Sequence, residues 1–341
     1  MKKKIIKGFW DNIEKPVYAM APMADVTDAA FRYMIAKYGK PDVMFTEFVS
    51  CDGLSSAGRP NLMKYLIYDE IERPIVIQLF GEKPENFYKS ALFAQELKFD
   101  GIDINMGCPV KTVTKTGSGA ALINTPELGK EIIAAAIEGA GDLPVSVKTR
   151  IGYNSITIAE WVEHLLETNL AAITLHLRTK KEMSNVEAHW ETVHEAVELA
   201  RQTETLLLAN GDLDDLDQAD KMIEETGIDG VMMARAIYGF PWLFDRTKKR
   251  ESITLEQRLS AMIEHSRLYE TVFDSKKNFA VMIKHLRAYA TGFDGAKELR
   301  VMMEDVKSSS DVESRIERFR KMYSESHPAK QIFGQSENRN L

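Results

Sequence analysis

The sequence predicts an α/β fold, a (β/α)8 TIM barrel followed by a C-terminal all-helical domain. Three observations carry this prediction. Eight short β-rich runs recur with starts 25 to 43 residues apart, most intervals between them hold a helical pattern, and after Phe244 the β-rich runs stop. Strand alternating with helix favours parallel pairing, because a crossover of a dozen or more residues has to return the chain. Eight units over about 230 residues match the ~250 residues usual for such a barrel. An open doubly wound sheet is the alternative. It usually has a glycine-rich turn after its first strand, and here that turn reads Ala21-Pro22-Met23-Ala24-Asp25.

The β-rich runs occupy residues 17–20, 43–46, 75–78, 102–105, 145–148, 172–175, 206–209 and 231–233. Apolar residues at helical spacing fill 29–38, 85–97, 127–137, 158–166, 192–201 and 216–225, whereas 50–61 reads as loop. Beyond the barrel, Thr254-x-x-Gln257 resembles a capping box and opens a helix through Leu255, Leu259, Met262 and Ile263. Three further patterns follow, around Phe279–Tyr289, Leu299–Val306 and Val312–Met322. The expected domains are therefore a catalytic barrel over 1–245, a helical domain over 246–323 and a flexible tail over 324–341, whose one apolar pair is Ile332-Phe333.

With 44% hydrophobic and 28% charged residues in 341, the chain has enough apolar material for a large core and is not of disordered composition. Its net charge of −7 argues at first sight against a nucleic-acid partner. The total hides an asymmetry: residues 1–245 carry 25 Lys/Arg against 37 Asp/Glu, and residues 246–341 carry 19 against 14. The helical part alone is basic, which suits a polyanion. Cys51 and Cys108 are too few for a disulfide framework or a thiolate zinc site. No run approaches the ~20 apolar residues of a membrane span, and the basic start lacks a signal-peptide core. The expectation is a cytoplasmic monomer with no membrane and no metal.

In a barrel, function gathers at the carboxyl ends of the strands. Those positions hold Ala21-Pro22-Met23, Glu47, Gln78, Asn105, Lys148 with Arg150, His176 with Arg178, Asn210-Gly211-Asp212 and Ala234-Arg235. One polar residue there would be unremarkable, but a ring of them goes beyond what packing requires. The last two groups end the last two strands, where barrels often seat a phosphate on main-chain N–H groups. Cys108, between Gly107 and Pro109, reads as a reactive thiol at the barrel mouth. Near its ordinary pKa of ~8.5 such a thiol is mostly protonated at neutral pH, so it can donate a proton as well as attack. Cys51 reads as a buried small residue. P-loop, zincin and complete dinucleotide motifs are absent.

These residues resemble the tRNA-dihydrouridine synthases, flavin-dependent barrels that reduce specific uridines in tRNA. The resemblance covers roughly residues 17–323, and its most specific piece is Asp103-Ile-Asn105-Met-Gly107-Cys108-Pro109, with Lys111 and Val113 following. Thr27-Asp28, Phe31-Arg32, Gln78-Leu-Phe-Gly81, Val147-Lys148-x-Arg150, His176-x-Arg178-Thr179, Ala188-x-Trp190 and Gly239-x-Pro241-Trp242 stand at matching positions. Leu177, Val186 and Ala234 each replace a glycine usual in the family, and the β-carbon of Ala234 would crowd a phosphate.

The resemblance implies FMN at the strand ends and NADPH as electron donor. Pro22 and Met23 would pack near the flavin ring, and Gln78, Lys148 and His176 would bond its polar edge. Asn210, Gly211, Asp212, Ala234 and Arg235 would hold the phosphate. Cys108 would be the general acid, donating a proton to carbon 5 of uracil while hydride from the flavin reaches carbon 6. Asn105, Arg150 and Arg178 would face substrate, and Lys284 and Arg287 would grip tRNA beside Lys276, Lys277, Arg315, Arg318, Arg320 and Lys321. A flavin-dependent reductase of a small unsaturated substrate, such as a free pyrimidine, is the alternative. A lyase using Lys148 as a Schiff-base amine stands further off.

Overall fold

In the computed structural model residues 5–326 are described; residues 1–4 and 327–341, with the Ile332-Phe333 pair and most of the expected flexible tail, lie outside them. The strands are β1 (Val17–Met20), β2 (Met44–Phe45), β3 (Val49–Ser50), β4 (Ile75–Phe80), β5 (Gly101–Met106), β6 (Val145–Arg150), β7 (Ala172–His176), β8 (Leu206–Asn210) and β9 (Gly230–Met233). They form one sheet in the order β1-β9-β8-β7-β6-β5-β4-β2, all pairs parallel, with the short β3 added on β4. The ends meet where Met20 N–H donates to the Val43 carbonyl at 3.0 Å and Asp42 N–H to that of Tyr18 at 2.9 Å. The eight β-rich runs are thus the eight barrel strands, and β3 is the one addition.

Parity along the strands puts Val17, Ala19, Phe45, Val76, Leu206, Leu208 and Met232 into one buried cluster that Trp10 joins from a short turn before β1. Each of these side chains larger than alanine contributes ~1.5–3 kcal/mol by leaving water. At the seam, a β-carbon on Gly230 would lie 2.3 Å from the Val17 carbonyl oxygen, so β1 and β9 approach this closely only with glycine there. Residues 50–61, read as loop, form two short helices, Cys51–Leu54 and Arg59–Leu62. The Ser50 hydroxyl starts the first by accepting from Gly53 N–H, local chemistry that apolar periodicity does not register.

Contacts divide the chain into two compact units, one made of residues up to Asp28 with Lys40–Ala236, the other of Ala29–Gly39 with the chain from Ile237 onward. The sequence-based division fell at residue 245 and left helix Ala29–Tyr38 with the barrel. That helix packs instead inside the helical unit: Phe31 lies 5.5 Å from the His265 ring and 4.8 Å from that of His285, and the Tyr38 hydroxyl donates to Glu264 at 2.6 Å. The unit's other main helices are Leu255–Phe273, Met282–Tyr289, Ala296–Met302 and Ser309–Ser326, the last reaching beyond its expected end at 323. Both halves of the Thr254–Gln257 capping box are present.

His265 and His285 are fully buried with rings 4.9 Å apart, and none of their four nitrogens meets a hydrogen-bond partner among the described residues. Burial holds His265 neutral down to about 3. An unfolded chain takes up that proton near pH ~6.5, so stability present above pH ~6.5 is lost on acidification by ~1.4 kcal/mol per pH unit for this one group. Urea unfolding between pH 6.5 and 5, above the carboxylate range, should show this slope in the wild type, added to the shares of His285 and His176, which are also held neutral. His265→Phe, which keeps the packing beside Phe31, should lower the slope by one group's share; an unchanged slope would dismiss His265 as a source.

Candidate active site

The segment carrying Cys108 leaves the end of β5 with its main chain fully bonded. Asn105 Oδ1 accepts from Gly107 N–H at 3.1 Å and Cys108 N–H at 2.8 Å. Thr149 Oγ1 donates to the Met106 carbonyl at 3.0 Å, Arg150 Nε to that of Gly107 at 2.8 Å, and Ala120 N–H to that of Cys108 at 3.0 Å. Each buried N–H left without its acceptor would cost ~1–3 kcal/mol, and because Asn105 also donates through Nδ2 to Gln78 Oε1, a carboxamide suits the position. Cys108 itself is 8% exposed. Burial pushes its thiol up, against the opposing bond from the Val110 main chain and the charge of Arg150, so it is protonated at neutral pH.

Lys148 and His176 stand on the adjoining strand ends. Lys148 Nζ donates to Asn210 Oδ1 at 3.3 Å. Burial lowers Lys148 to about 8, the Arg150 charge adds to this, and Asp103 opposes it. Burial and the cations Lys148, Arg150, Arg178 and Arg235 keep His176 neutral. Arg178 Nη1 lies 3.2 Å from His176 Nε2, and because a guanidinium only donates, Nε2 accepts and the ring proton sits on Nδ1.

A cleft over the ends of β7, β8 and β9 is lined by His176, Arg178, Asn210–Asp214 and Met232–Arg235. At its centre the Asp212 carboxylate accepts from Arg178 and Arg235 and, at 2.9 Å, from Ala188 N–H. Burial pushes the Asp212 carboxyl up, but the bonds from Arg178 and Ala188 prevail and hold it below its ordinary range. Arg178 and Arg235 on the lining are matched in number by Asp212 and Asp214, so what the cleft offers an anion is its N–H donors. Among the described residues, no acceptor meets the main-chain N–H of Gly211 or Asp212. A β-carbon on Gly211 would come 2.6 Å from that of Ala188, which keeps this backbone bare. The donor set fits a phosphate monoester. Ala234 follows the inward alternation of β9 and packs against the barrel's apolar cluster.

Several residues placed by sequence have other tasks. Gln78 has no exposed surface, and its amide is bonded to Asp103 and Asn105. The Asn210 carboxamide turns inward to Lys148 and the Met232 carbonyl, not to a phosphate. Arg150 is 5% exposed; besides Gly107 it donates to the carbonyls of Thr179 (3.0 Å) and Met183 (2.8 Å). Arg178, 3% exposed, donates to the Val186 carbonyl at 2.7 Å as well as to Asp212 and His176. Both arginines fasten the segment after β7 to the strand ends, and a substrate has little of either to touch. Pro22 and Met23 remain half-buried after β1, where Met23 N–H donates to Thr27 Oγ1 at 2.9 Å.

Sequence reasoning gave no role to Ala188-x-Trp190, to Glu47 or to Asp103. Trp190 Nε1 donates to the Gly211 carbonyl at 3.0 Å, so with Ala188 it ties the segment after β7 to the cleft. Glu47 is 2% exposed and accepts from Asp25 N–H at 2.5 Å, bracing the turn after β1. Only the buried position of a strand-end carboxylate could have signalled this. In the helical unit, Arg287, Arg318 and Lys321 are exposed, and Lys284 is half-buried. Arg315 and Arg320, counted above among tRNA-gripping cations, are instead paired with Asp305 and with Glu256 and Glu317.

The dihydrouridine synthase (Dus) family profile matches residues 19–325. The chain is similar to a probable tRNA-dihydrouridine synthase 2 of Bacillus subtilis (strain 168), at 42% identity over 250 residues, 72% of this chain and 76% of that protein. A probable tRNA-dihydrouridine synthase of Staphylococcus aureus (strain MRSA252) is 40% identical over 268 residues, 77% of this chain and 80% of that one. Among solved structures, a 2-naphthoyl-CoA reductase complex matches with a TM-score of 0.53 at 12% identity, covering 67% of this chain and 49% of that one. Histamine dehydrogenase from Rhizobium sp. 4-9 matches with a TM-score of 0.51, also at 12%, covering 74% and 48%. This chain thus spans about half of each solved structure, and at such identity the likeness concerns the barrel fold alone.

Proposed function

The chain belongs to the dihydrouridine synthase family, and from that premise we propose that it reduces uridines in tRNA to 5,6-dihydrouridine with FMN and NADPH. The observation that carries this reading is a protonated thiol, Cys108, on a rigidly bonded turn at the end of β5, in a barrel whose β7–β9 ends form a cleft with N–H donors suited to a phosphate. FMN, when bound and reduced, supplies the hydride for carbon 6 of the uracil ring. Cys108 delivers the proton that carbon 5 requires and is reprotonated from water, which is general acid catalysis. Lys148 places a fixed positive charge near the ring edge of the site, where negative charge develops. The main-chain N–H groups of Gly211 and Asp212, with Arg235, would hold the cofactor's phosphate. His176 offers an Nδ1–H donor to the same edge.

A stacked base cannot reach a barrel mouth, so the uridine has to be turned out of the tRNA. The helical unit supplies the phosphate grip through Lys284 and Arg287, since shape and phosphate contacts dominate recognition of folded RNA. Replacing both with glutamate should lower the slope of log affinity against log salt by about 1.5, as expected for two lost phosphate contacts. NADPH oxidation by the flavin should continue unchanged. Filter binding across a salt series measures the first, and an undiminished slope would move the tRNA surface elsewhere.

The reading as a whole is tested by incubating the purified protein with FMN, NADPH and unmodified tRNA and analysing the nucleosides by mass. Dihydrouridine at a defined position is the expected product. Reduction of free uracil or uridine with none in tRNA would instead establish the small-substrate reductase.

A further inference from the structure

Asp103 has no part in the reaction described above, yet it is 1% exposed and sits in the middle of β5. Strand register sets Gln78, Asp103 and Ser146 side by side on β4, β5 and β6, and puts Asn105 beside Lys148 two residues further toward the mouth. Ser146 Oγ donates to Asp103 Oδ1 at 2.6 Å, and Gln78 Nε2 donates to Oδ2 at 2.7 Å. Asn105 Nδ2 then donates to Gln78 Oε1 at 2.9 Å. Asn105 Oδ1 receives the N–H groups of Gly107 and Cys108. A continuous hydrogen-bonded chain therefore runs from a buried carboxylate to the main chain of Cys108.

Its polarity is forced from one end. Main-chain N–H groups only donate, so Asn105 must turn its oxygen to them and its amino group to Gln78. Gln78 must then show its oxygen to Asn105 and its amino group to position 103. That position requires an acceptor, and an ionised carboxylate accepts on both oxygens. Burial raises the Asp103 carboxyl to about 6, while the bonds from Ser146 and Gln78 oppose the rise, so it is ionised at neutral pH. Reversing any amide in the chain would set donor against donor.

We propose that Asp103 is a positioning residue for proton delivery: its carboxylate orients Gln78, and through Gln78 and Asn105 it holds the turn that presents Cys108. The inference rests on the proposed role of Cys108, but the geometry it asserts is independent of that role. The same carboxylate supplies the negative charge near Lys148. The other charged group acting on Lys148 is Arg150 on its own strand, which disfavours the ammonium; His176 on β7 is neutral. Asp103 therefore also favours the charged form of Lys148.

The experiment uses full-length protein with Cys51→Ala, which leaves Cys108 as the single thiol, and follows its alkylation by iodoacetamide. Asp103→Leu removes the terminal acceptor and should raise the alkylation rate about tenfold, the effect of one lost hydrogen bond on opening of the turn. Uridine reduction should fall in parallel. Asp103→Asn can still accept from Gln78 and donate to Ser146 Oγ, so alkylation should stay near wild type. Without the charge, however, its alkaline limb of uridine reduction should move to lower pH. A folded Asp103→Leu protein alkylated at the wild-type rate would overturn the proposal. Should that variant not fold, Gln78→Met cuts the chain at its middle link and is judged by the same rate. Should neither fold, an unshifted limb in Asp103→Asn overturns it. Alkylation is read without tRNA, so a wild type that reduces no uridine would count against the function and leave the test of the turn standing.

Discussion

Cys108→Ala is expected to bind flavin as the wild type does and to lose ~10²–10⁴-fold in uridine reduction, the usual contribution of a positioned general acid. The reasons lie in the geometry around the residue. Every main-chain group from the Met106 carbonyl to that of Cys108 is bonded without the help of the thiol, so alanine leaves the turn in place. The cleft proposed for the cofactor's phosphate is lined by residues of β7, β8 and β9 and their following turns, and the thiol is no part of it. What alanine removes is the proton. Single-turnover reduction of tRNA by pre-reduced enzyme isolates that loss from the flavin's own reduction by NADPH, which should proceed at the wild-type rate. Cys51→Ala serves as control: this thiol is fully buried, its pKa is pushed up strongly by burial, and its removal should alter neither step. Equal tRNA reduction by Cys108→Ala and wild type would withdraw the assignment.

Lys148→Met should slow uridine reduction by ~10²–10³-fold, the cost of losing one preorganised charge aimed at the reacting group. The wild type carries a second signature of the same residue. Burial lowers Lys148 to about 8, so its ammonium is present below that pH and is lost above it. Activity should therefore decline above about pH 8 with a single-proton slope. Burial pushes the Cys108 thiol up from its ordinary value, so Lys148 loses its proton first as the pH rises. Lys148→Arg, whose guanidinium stays charged, should flatten the decline while changing the rate at neutral pH. A pH profile of tRNA reduction decides the matter; a limb near pH 8 that persists in Lys148→Arg would have to belong to another group.

The barrel was legible in the sequence because two periods and one spacing encode it locally. Inward residues two apart on β1, β8 and β9, such as Val17 with Ala19 and Leu206 with Leu208, are apolar whatever their partners are, and the helices between them supply their own periodicity. The set of strand-end polar residues was legible for the same reason, since it follows from where each strand stops. Their tasks were not. Gln78 and Asp103 are 25 residues apart, Arg150 and Gly107 are 43, and Lys148 and Asn210 are 62. No local pattern tells which carbonyl a guanidinium will meet. Arg150 and Arg178, expected to face substrate, are each bonded to carbonyls of the segment after β7.

The helix Ala29–Tyr38 shows the same limit on the scale of an element. Its periodicity was read to the residue, but the partners of Phe31 and Tyr38 are His265, His285 and Glu264, more than 200 positions away, and they set it in the helical unit. By itself, then, the sequence determined the eight barrel strands and their order along the chain, the family motifs, and the separation of an acidic barrel from a basic helical part, all properties of composition or short-range period. The tertiary structure alone decided which polar groups are left to face a ligand. A buried donor or acceptor must find a partner or cost its full desolvation, and that partner comes from whichever strand the closed barrel places beside it.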